Sequence, residues 1–187
     1  MPLNTLKSTA RRLTICIGTI AILGTCAYFV AGLARERHRL GFVPTGLGVT
    51  GVRYAKEDSW GFGPGGNETG VIAYALPVPT ATAIQNQGIR YLQDLPPETL
   101  ANGLGRAHSW QTTPAQLEGS DAHANSVFSF DVADYLNRYG FGIDIDPTVR
   151  QQINDALAND GSFLSHERTG ILIVAPSLQK VFYIYNG

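Results

Sequence analysis

The alternation of apolar and polar positions divides the chain into one long uncharged run and a body of short periodic segments. The uncharged run covers residues 13–33 and reads LTICIGTIAILGTCAYFVAGL. A helix of this length, rising roughly 1.5 Å per residue, matches the thickness of a bilayer hydrocarbon core. We therefore predict a transmembrane helix over residues 13–34, preceded by a basic tail of residues 1–12. Arginines delimit the run at both ends: Arg11, Arg12, Arg35, Arg37 and Arg39.

Two processing alternatives compete with an uncleaved anchor. Gly32 and Ala34 would suit cleavage of a secretory signal before Arg35. The segment Leu23-Gly24-Thr25-Cys26 resembles a lipoprotein box, in which Cys26 would be lipidated. However, the run is longer than the apolar region of a cleaved signal, and it stays apolar beyond Cys26, where a lipoprotein turns polar. We favour the uncleaved anchor over both alternatives.

The body, residues 47–187, follows a linker of residues 35–46 and is predicted to fold as one α+β domain. Because strand patterns come in neighbouring pairs with helical patterns between the pairs, we expect a mainly antiparallel sheet with helices packed on one face. Asp131 and Asp146 are predicted N-caps of two of the helices. The predicted strands are 47–55, 69–76, 107–112, 125–130, 171–175 and 181–185, and the predicted helices are 80–94, 131–140 and 147–160.

Charge is distributed unevenly between the two parts of the chain. Residues 1–39 carry six Lys and Arg against one acid, whereas residues 40–187 carry eight basic and fourteen acidic residues. An acidic body repels phosphate, so we expect no nucleic-acid partner. The basic residues flanking the span number three on each side, and the positive-inside rule therefore does not decide its orientation.

Cysteine usage gives a weaker indication of compartment. Both cysteines, Cys16 and Cys26, lie in the uncharged run, so the body has none. A cysteine-free, lysine-poor body suits a compartment outside the cytoplasm. We expect the span to lie in an inner or plasma membrane, with the body extracytoplasmic and with an envelope or membrane protein as its partner.

A glycine-rich segment, GFGPGG at residues 61–66, formally contains the G-x-G-x-x-G pattern. Phosphate binding by that pattern needs a helix directly after it, but a predicted strand follows here and Pro64 lacks an N–H donor. Trp60 and Phe62 place large aromatic side chains on this connection, where such residues often anchor partners. Packing of these rings back onto the sheet is the alternative. The candidate partner-binding loop comprises Trp60, Phe62, Asn67 and Glu68.

The sequence contains few residues in patterns typical of a catalytic or metal site. His108, Asp121 and His123 could form a hydrolytic site, with or without a metal ion. Neither a known zinc-ligand spacing nor a G-x-S-x-G or S-x-x-K nucleophile pattern is present, so no catalytic residue is assigned and no cofactor is expected. The sequence therefore favours a membrane-anchored binding or accessory module, with a membrane-tethered hydrolase as the alternative. No motif identifies a family.

Overall fold

The computed structural model describes residues 3–60, 67–96, 98–99, 105–106, 108–114, 130–140, 142–167 and 170–186. The chain divides into two compact units, Met1–His38 and Arg39–Gly187. Each unit is described separately below.

The N-terminal unit is helical. Helix α1 runs without interruption over Leu3–Leu40. Among the described residues, one helical segment, Ile17–Leu40, is long and apolar enough to cross a membrane, although a signal sequence near the N-terminus meets the same criteria. Thr25 donates its hydroxyl proton to the carbonyl oxygen of Ala21 at 2.9 Å. This bond satisfies a polar side chain within the apolar run, as a membrane interior requires.

The second unit is built on a six-stranded antiparallel sheet. Its strands are β1 (Val52–Trp60), β2 (Asn67–Ala75), β5 (Trp110–Thr112), β6 (Phe163–Glu167), β7 (Gly170–Ala175) and β8 (Lys180–Asn186). Their order across the sheet is β1-β2-β8-β7-β6-β5. The hairpin β1–β2 therefore joins the meander β6–β7–β8 through pairing of β2 with β8. A separate two-stranded ribbon is formed by β3 (Glu98–Thr99) and β4 (Gly105–Arg106).

Helices cover both faces of this sheet. Alternate residues of β2 show the division, since Val71 packs in one core cluster and Ile72 in the other. The cluster on the Val71 side contains buried residues of α4 (Val132–Leu136) and α5 (Pro147–Ala158). The cluster on the Ile72 side contains buried residues of α2 (Val78–Gln87) and α3 (Ile89–Gln93).

The predicted α+β class and antiparallel sheet are confirmed, but the helices do not all pack on one face as we expected. The physical reason lies in the C-terminal strands. All six residues of β7 and the central five of β8 are buried, so both faces of the sheet need a covering layer. In the sequence, the uninterrupted apolar runs at 171–175 and 181–185 indicate strands that are buried on both faces.

Several element boundaries also differ from the expected ones. The predicted helix 80–94 is divided at Gly88, whose φ of 64° ends α2 before α3 begins. The first strand lies later than predicted, because Leu47 is buried in a short helical turn and the charged segment 56–58 continues β1 at the edge of the sheet. Strand β6 was not predicted, and residues 125–129 of the predicted strand 125–130 lie outside the described part of the chain.

Both predicted helix caps are confirmed. The Asp131 carboxylate accepts a hydrogen bond from the Ala133 N–H at 2.9 Å at the start of α4. The Asp146 carboxylate accepts from the Thr148 N–H at 2.8 Å at the start of α5. Each cap satisfies backbone donors that the first helical turn leaves without intrahelical partners.

Candidate functional site

The predicted partner-binding loop lies at the end of the β1–β2 hairpin. Pairing within the hairpin continues through Ser59 opposite Glu68 to Trp60 opposite Asn67, whereas pairing of β2 with β8 ends at Thr69. Within the described residues, the hairpin therefore continues for two residue pairs beyond its last pair with β8. Ser59 and Glu68 are exposed there.

Phe62 and the rest of segment 61–66 lie outside the described residues, as do the side chains of Trp60 and Asn67. Whether the rings of Trp60 and Phe62 are exposed or pack on the sheet therefore stays an open prediction from the sequence. What the structure adds is position, because Trp60 and Asn67 form the last described pair of a hairpin at the sheet's edge.

Polar side chains form a line across the same end of the sheet, on the face covered by α2 and α3. Strand register aligns Glu57 of β1, Gly70 of β2, Tyr185 of β8, Gly170 of β7 and Glu167 of β6. His108, just before β5, completes the line through a hydrogen bond to Glu167. We call this set the polar row: Glu57, Tyr185, Glu167 and His108.

At one end of the polar row, both carboxylate oxygens of Glu57 have donors. Tyr185 donates its hydroxyl proton to Oε1 at 2.9 Å, and the Arg39 guanidinium binds Oε2. The Tyr185 ring lies over Gly70, where a Cβ would come 2.4 Å from the ring. Burial, and then the neighbouring Glu57 charge, raise the pKa of the Tyr185 hydroxyl well above its ordinary value. The geometry makes Tyr185 a hydrogen-bond donor that stays protonated.

Residues just after Arg39 are held on the same face. Tyr74 donates its hydroxyl proton to the carbonyl oxygen of Arg39 at 2.6 Å, and burial raises the pKa of Tyr74. The Phe42 ring stacks on Tyr183 with centroids 4.8 Å apart, and it lies 6.2 Å from the ring of Tyr185. Hydrogen bonds and ring stacking thus join the side chains at this end of the row to one another.

The other end of the polar row is different. His108 Nδ1 lies 2.7 Å from Glu167 Oε1, and the two side chains are 7% and 10% exposed. Because an ionised carboxylate only accepts hydrogen bonds, Nδ1 carries the proton, and in the neutral ring Nε2 presents a lone pair. His108 Nε2 and Ser165 Oγ are buried without hydrogen-bond partners, as far as the described residues show. Buried polar atoms without partners are uncommon in folded proteins.

Only His108 of the hypothetical hydrolytic site, which also includes Asp121 and His123, is among the described residues. His108 is buried against Trp110, with ring centroids 5.6 Å apart. Asp121 and His123 lie outside the described residues. Among the residues that are described, no three His, Cys, Asp or Glu side chains are grouped so as to hold a metal ion.

Comparison with known proteins adds no identity. No family model matches the chain, and neither a curated protein nor a solved structure matches it.

Sequence reasoning missed most of the polar row. Glu57 lies between Lys56 and Asp58 and gave no sign of a buried hydrogen-bond partner. Glu167 lies in strand β6, which the sequence pattern did not predict. The alternating tyrosines of the YIY run at 183–185 were the available signal, since alternate residues of a strand share one face.

Proposed function

We propose that this protein is a single-pass membrane protein whose acidic α+β domain lies outside the cytoplasm and acts as a binding or accessory module. The anchor is the apolar segment of α1, and the partner is an envelope or membrane protein. The contact site is the end of the β1–β2 hairpin, with Trp60, Phe62, Asn67 and Glu68. The placement of this hairpin end at the edge of the sheet, with Ser59 and Glu68 exposed, is the single observation that carries the proposal.

Several features support this choice of surface. Ser59 and Glu68 are exposed, and so is Asp58 one pair away, so a partner could reach the hairpin without disturbing the core. The strands that carry the loop are long and rigidly paired, and a rigid scaffold holding a variable loop is a common design of binding sites. The exposed carboxylates favour a partner surface that carries basic residues.

The orientation is tested with reporter fusions at Gly187 that are active on only one side of the membrane. An extracytoplasmic domain gives activity only with the reporter that works outside the cytoplasm. A signal only from the cytoplasmic reporter would overturn the proposed location and with it the proposed class of partner.

The contact surface is tested by photo-crosslinking of the full chain in intact membranes. A photoreactive residue at Ser59 or Glu68 should give one discrete crosslinked product. The same residue at Ser177, exposed in the turn between β7 and β8 at the opposite end of the sheet, is the matched control and should give none. Equal crosslinking from all three positions, or none from the hairpin, would reject this surface as the contact site.

A further inference from the structure

Ser165 lies on the same face of the sheet as the His108–Glu167 pair. It precedes Glu167 by two residues on β6, so the two side chains point the same way. Trp110 is directly opposite Ser165 in the register, which makes His108 the diagonal neighbour of Ser165. Diagonal neighbours in an antiparallel pair are roughly 7–8 Å apart at Cα and closer at Cβ, within reach of a ring side chain.

The three side chains present complementary chemistry. The Glu167 carboxylate binds Nδ1 of His108 and orients the ring, which leaves the lone pair of Nε2 available as a base. Ser165 supplies a hydroxyl that has no other partner among the described residues. No hydrogen bond joins Nε2 to Oγ in this structure, and such contacts often tighten only when substrate is bound. A hydroxyl, a base and an orienting carboxylate are the elements that activate a serine nucleophile.

We propose that Ser165, His108 and Glu167 form an acyl-transfer centre that hydrolyses esters. This activity goes beyond the proposed binding role and does not depend on it. Ser165 and His108 would be the catalytic residues, and Glu167 a positioning residue that acts through His108.

The reaction uses water as its only co-substrate. Ser165 Oγ attacks the ester carbonyl carbon and forms a C–O bond, while its proton passes to Nε2 of His108. The bond to the leaving alcohol then breaks, and the departing oxygen takes the proton from Nε2. Water, deprotonated by the same nitrogen, next attacks the acyl-serine carbonyl, which releases the carboxylic acid and returns the proton to Ser165. Glu167 stays ionised throughout.

The surroundings define the substrate class. Trp110 lies opposite Ser165, and Leu172 of β7 is opposite it on the other side. Both neighbours are buried and apolar, and Ser165 itself is fully buried. The acyl group we propose is therefore small and apolar, because a charged acyl group would lose its hydration beside these residues without gaining a partner.

Covalent labelling of the full chain in detergent tests the proposal. A small alkyl fluorophosphonate, which phosphonylates activated serines, should form one adduct, located at Ser165 by peptide mass spectrometry. Ser165→Ala should abolish the adduct, and His108→Gln should slow labelling by at least about 100-fold. Ser162→Ala is the matched control, because Ser162 is also buried and lies just before β6, and this variant should label at the normal rate.

The role of Glu167 needs a readout that a purely structural residue would not change. Glu167→Gln should slow labelling and alter its pH profile, whereas Glu167→Asp should restore part of the rate. Wild-type protein that unfolds cooperatively and yet gives no adduct at Ser165 overturns the proposal without any variant. An adduct that forms equally fast in His108→Gln overturns it as well. Neither outcome bears on the crosslinking test of the hairpin.

Discussion

The Tyr185 hydroxyl donates a hydrogen bond to Glu57 Oε1 at 2.9 Å, although the two residues belong to strands that do not pair with each other. Strand β2 lies between them, and Gly70 is the β2 residue in register with both. The absence of a side chain at Gly70 lets the ring cross the strand. This contact ties the edge strand β1 to the centre of the sheet independently of the backbone ladder.

Gly70→Ala should destabilise the domain by about 1–3 kcal/mol, which is typical of overpacking in a close-packed core. The added Cβ would meet the Tyr185 ring at 2.4 Å and its hydroxyl oxygen at 2.5 Å, so the ring must move away from Glu57. The measurement is the free energy of unfolding from denaturant titration of the full chain in detergent.

A double-mutant cycle identifies the cause of this loss. In a Tyr185→Leu background the clash is absent, so Gly70→Ala should cost much less there than in the wild type. Equal costs in the two backgrounds would show that Tyr185 is not what Gly70 accommodates.

Tyr74, Tyr135 and Tyr185 should lose their hydroxyl protons only at high pH. Burial is the largest cause that raises the pKa of Tyr135, to about 12, and it also raises the pKa values of Tyr74 and Tyr185. Because these pKa values are above that of an unfolded tyrosine, the stability they contribute is complete below pH ~10 and is lost as pH rises beyond it. Absorbance of tyrosinate near 295 nm should therefore rise in two stages.

Tyr135→Phe should remove signal from the late stage, which accompanies unfolding. If Tyr135→Phe instead lowered the absorbance of the early stage, burial would not be what protects the Tyr135 hydroxyl.

The sequence predicted those elements that depend on interactions between residues close together in the chain. The caps at Asp131 and Asp146 depend on bonds to residues two or three positions away, and the β7–β8 hairpin depends on two adjacent apolar runs. The glycine that divides the helix after β2 was present in the sequence, but its positive φ depends on packing of α2 and α3 that the pattern does not contain.

The polar row could not be predicted in the same way, because its contacts join residues far apart in the chain. Tyr185 and Glu57 are separated by 128 positions, and His108 and Glu167 by 59. Each contact depends on the order and register of the strands. Because neighbouring strands at these contacts are far apart in the sequence, the whole fold sets that order and register. The neighbouring strands β1 and β2, by contrast, were predictable because a hairpin is a local structure, although Trp60, Asn67 and Glu68 lie within these strands and their function as a contact site stays a prediction.

Thr113 holds the end of β5 to the turn that precedes β6. Its Oγ1 donates to the carbonyl oxygen of Asn159 at 2.6 Å and accepts from the Ser162 N–H at 3.1 Å, and the side chain is buried. Thr113→Val keeps the shape but leaves a buried N–H and a carbonyl without this partner, so it should cost about 1–3 kcal/mol of unfolding free energy.

The neighbouring Thr112 is exposed and provides the matched control. Thr112→Val should change stability by no more than ~0.5 kcal/mol, as is usual for surface substitutions. If both variants lost the same stability, the effect would belong to valine at this edge strand and not to the hydrogen bonds of Thr113.

Asp131 should make the stability of the domain dependent on pH in the acid range. Its carboxylate caps α4, binds the Arg150 guanidinium and accepts a bond from Asn154 Nδ2 at 3.3 Å. The bond to Arg150 is the largest cause that lowers the pKa of Asp131 below its ordinary value of 3.8. A lowered folded-state pKa contributes stability that is present above pH 3.8 and is lost as the pH falls through the folded-state value.

Asp131→Ala should therefore cost about 1 kcal/mol at pH 7, the usual contribution of an N-cap, and progressively less as the pH is lowered below 3.8. Asp134→Asn, at an exposed position in the first turn of the same helix, removes a carboxylate charge without removing the cap and is the matched control. Unfolding free energies measured between pH 2 and pH 7 for the wild type and both variants provide the test. A constant difference between wild type and Asp131→Ala across this range would mean that the carboxylate contributes through shape alone and that its charge is not used.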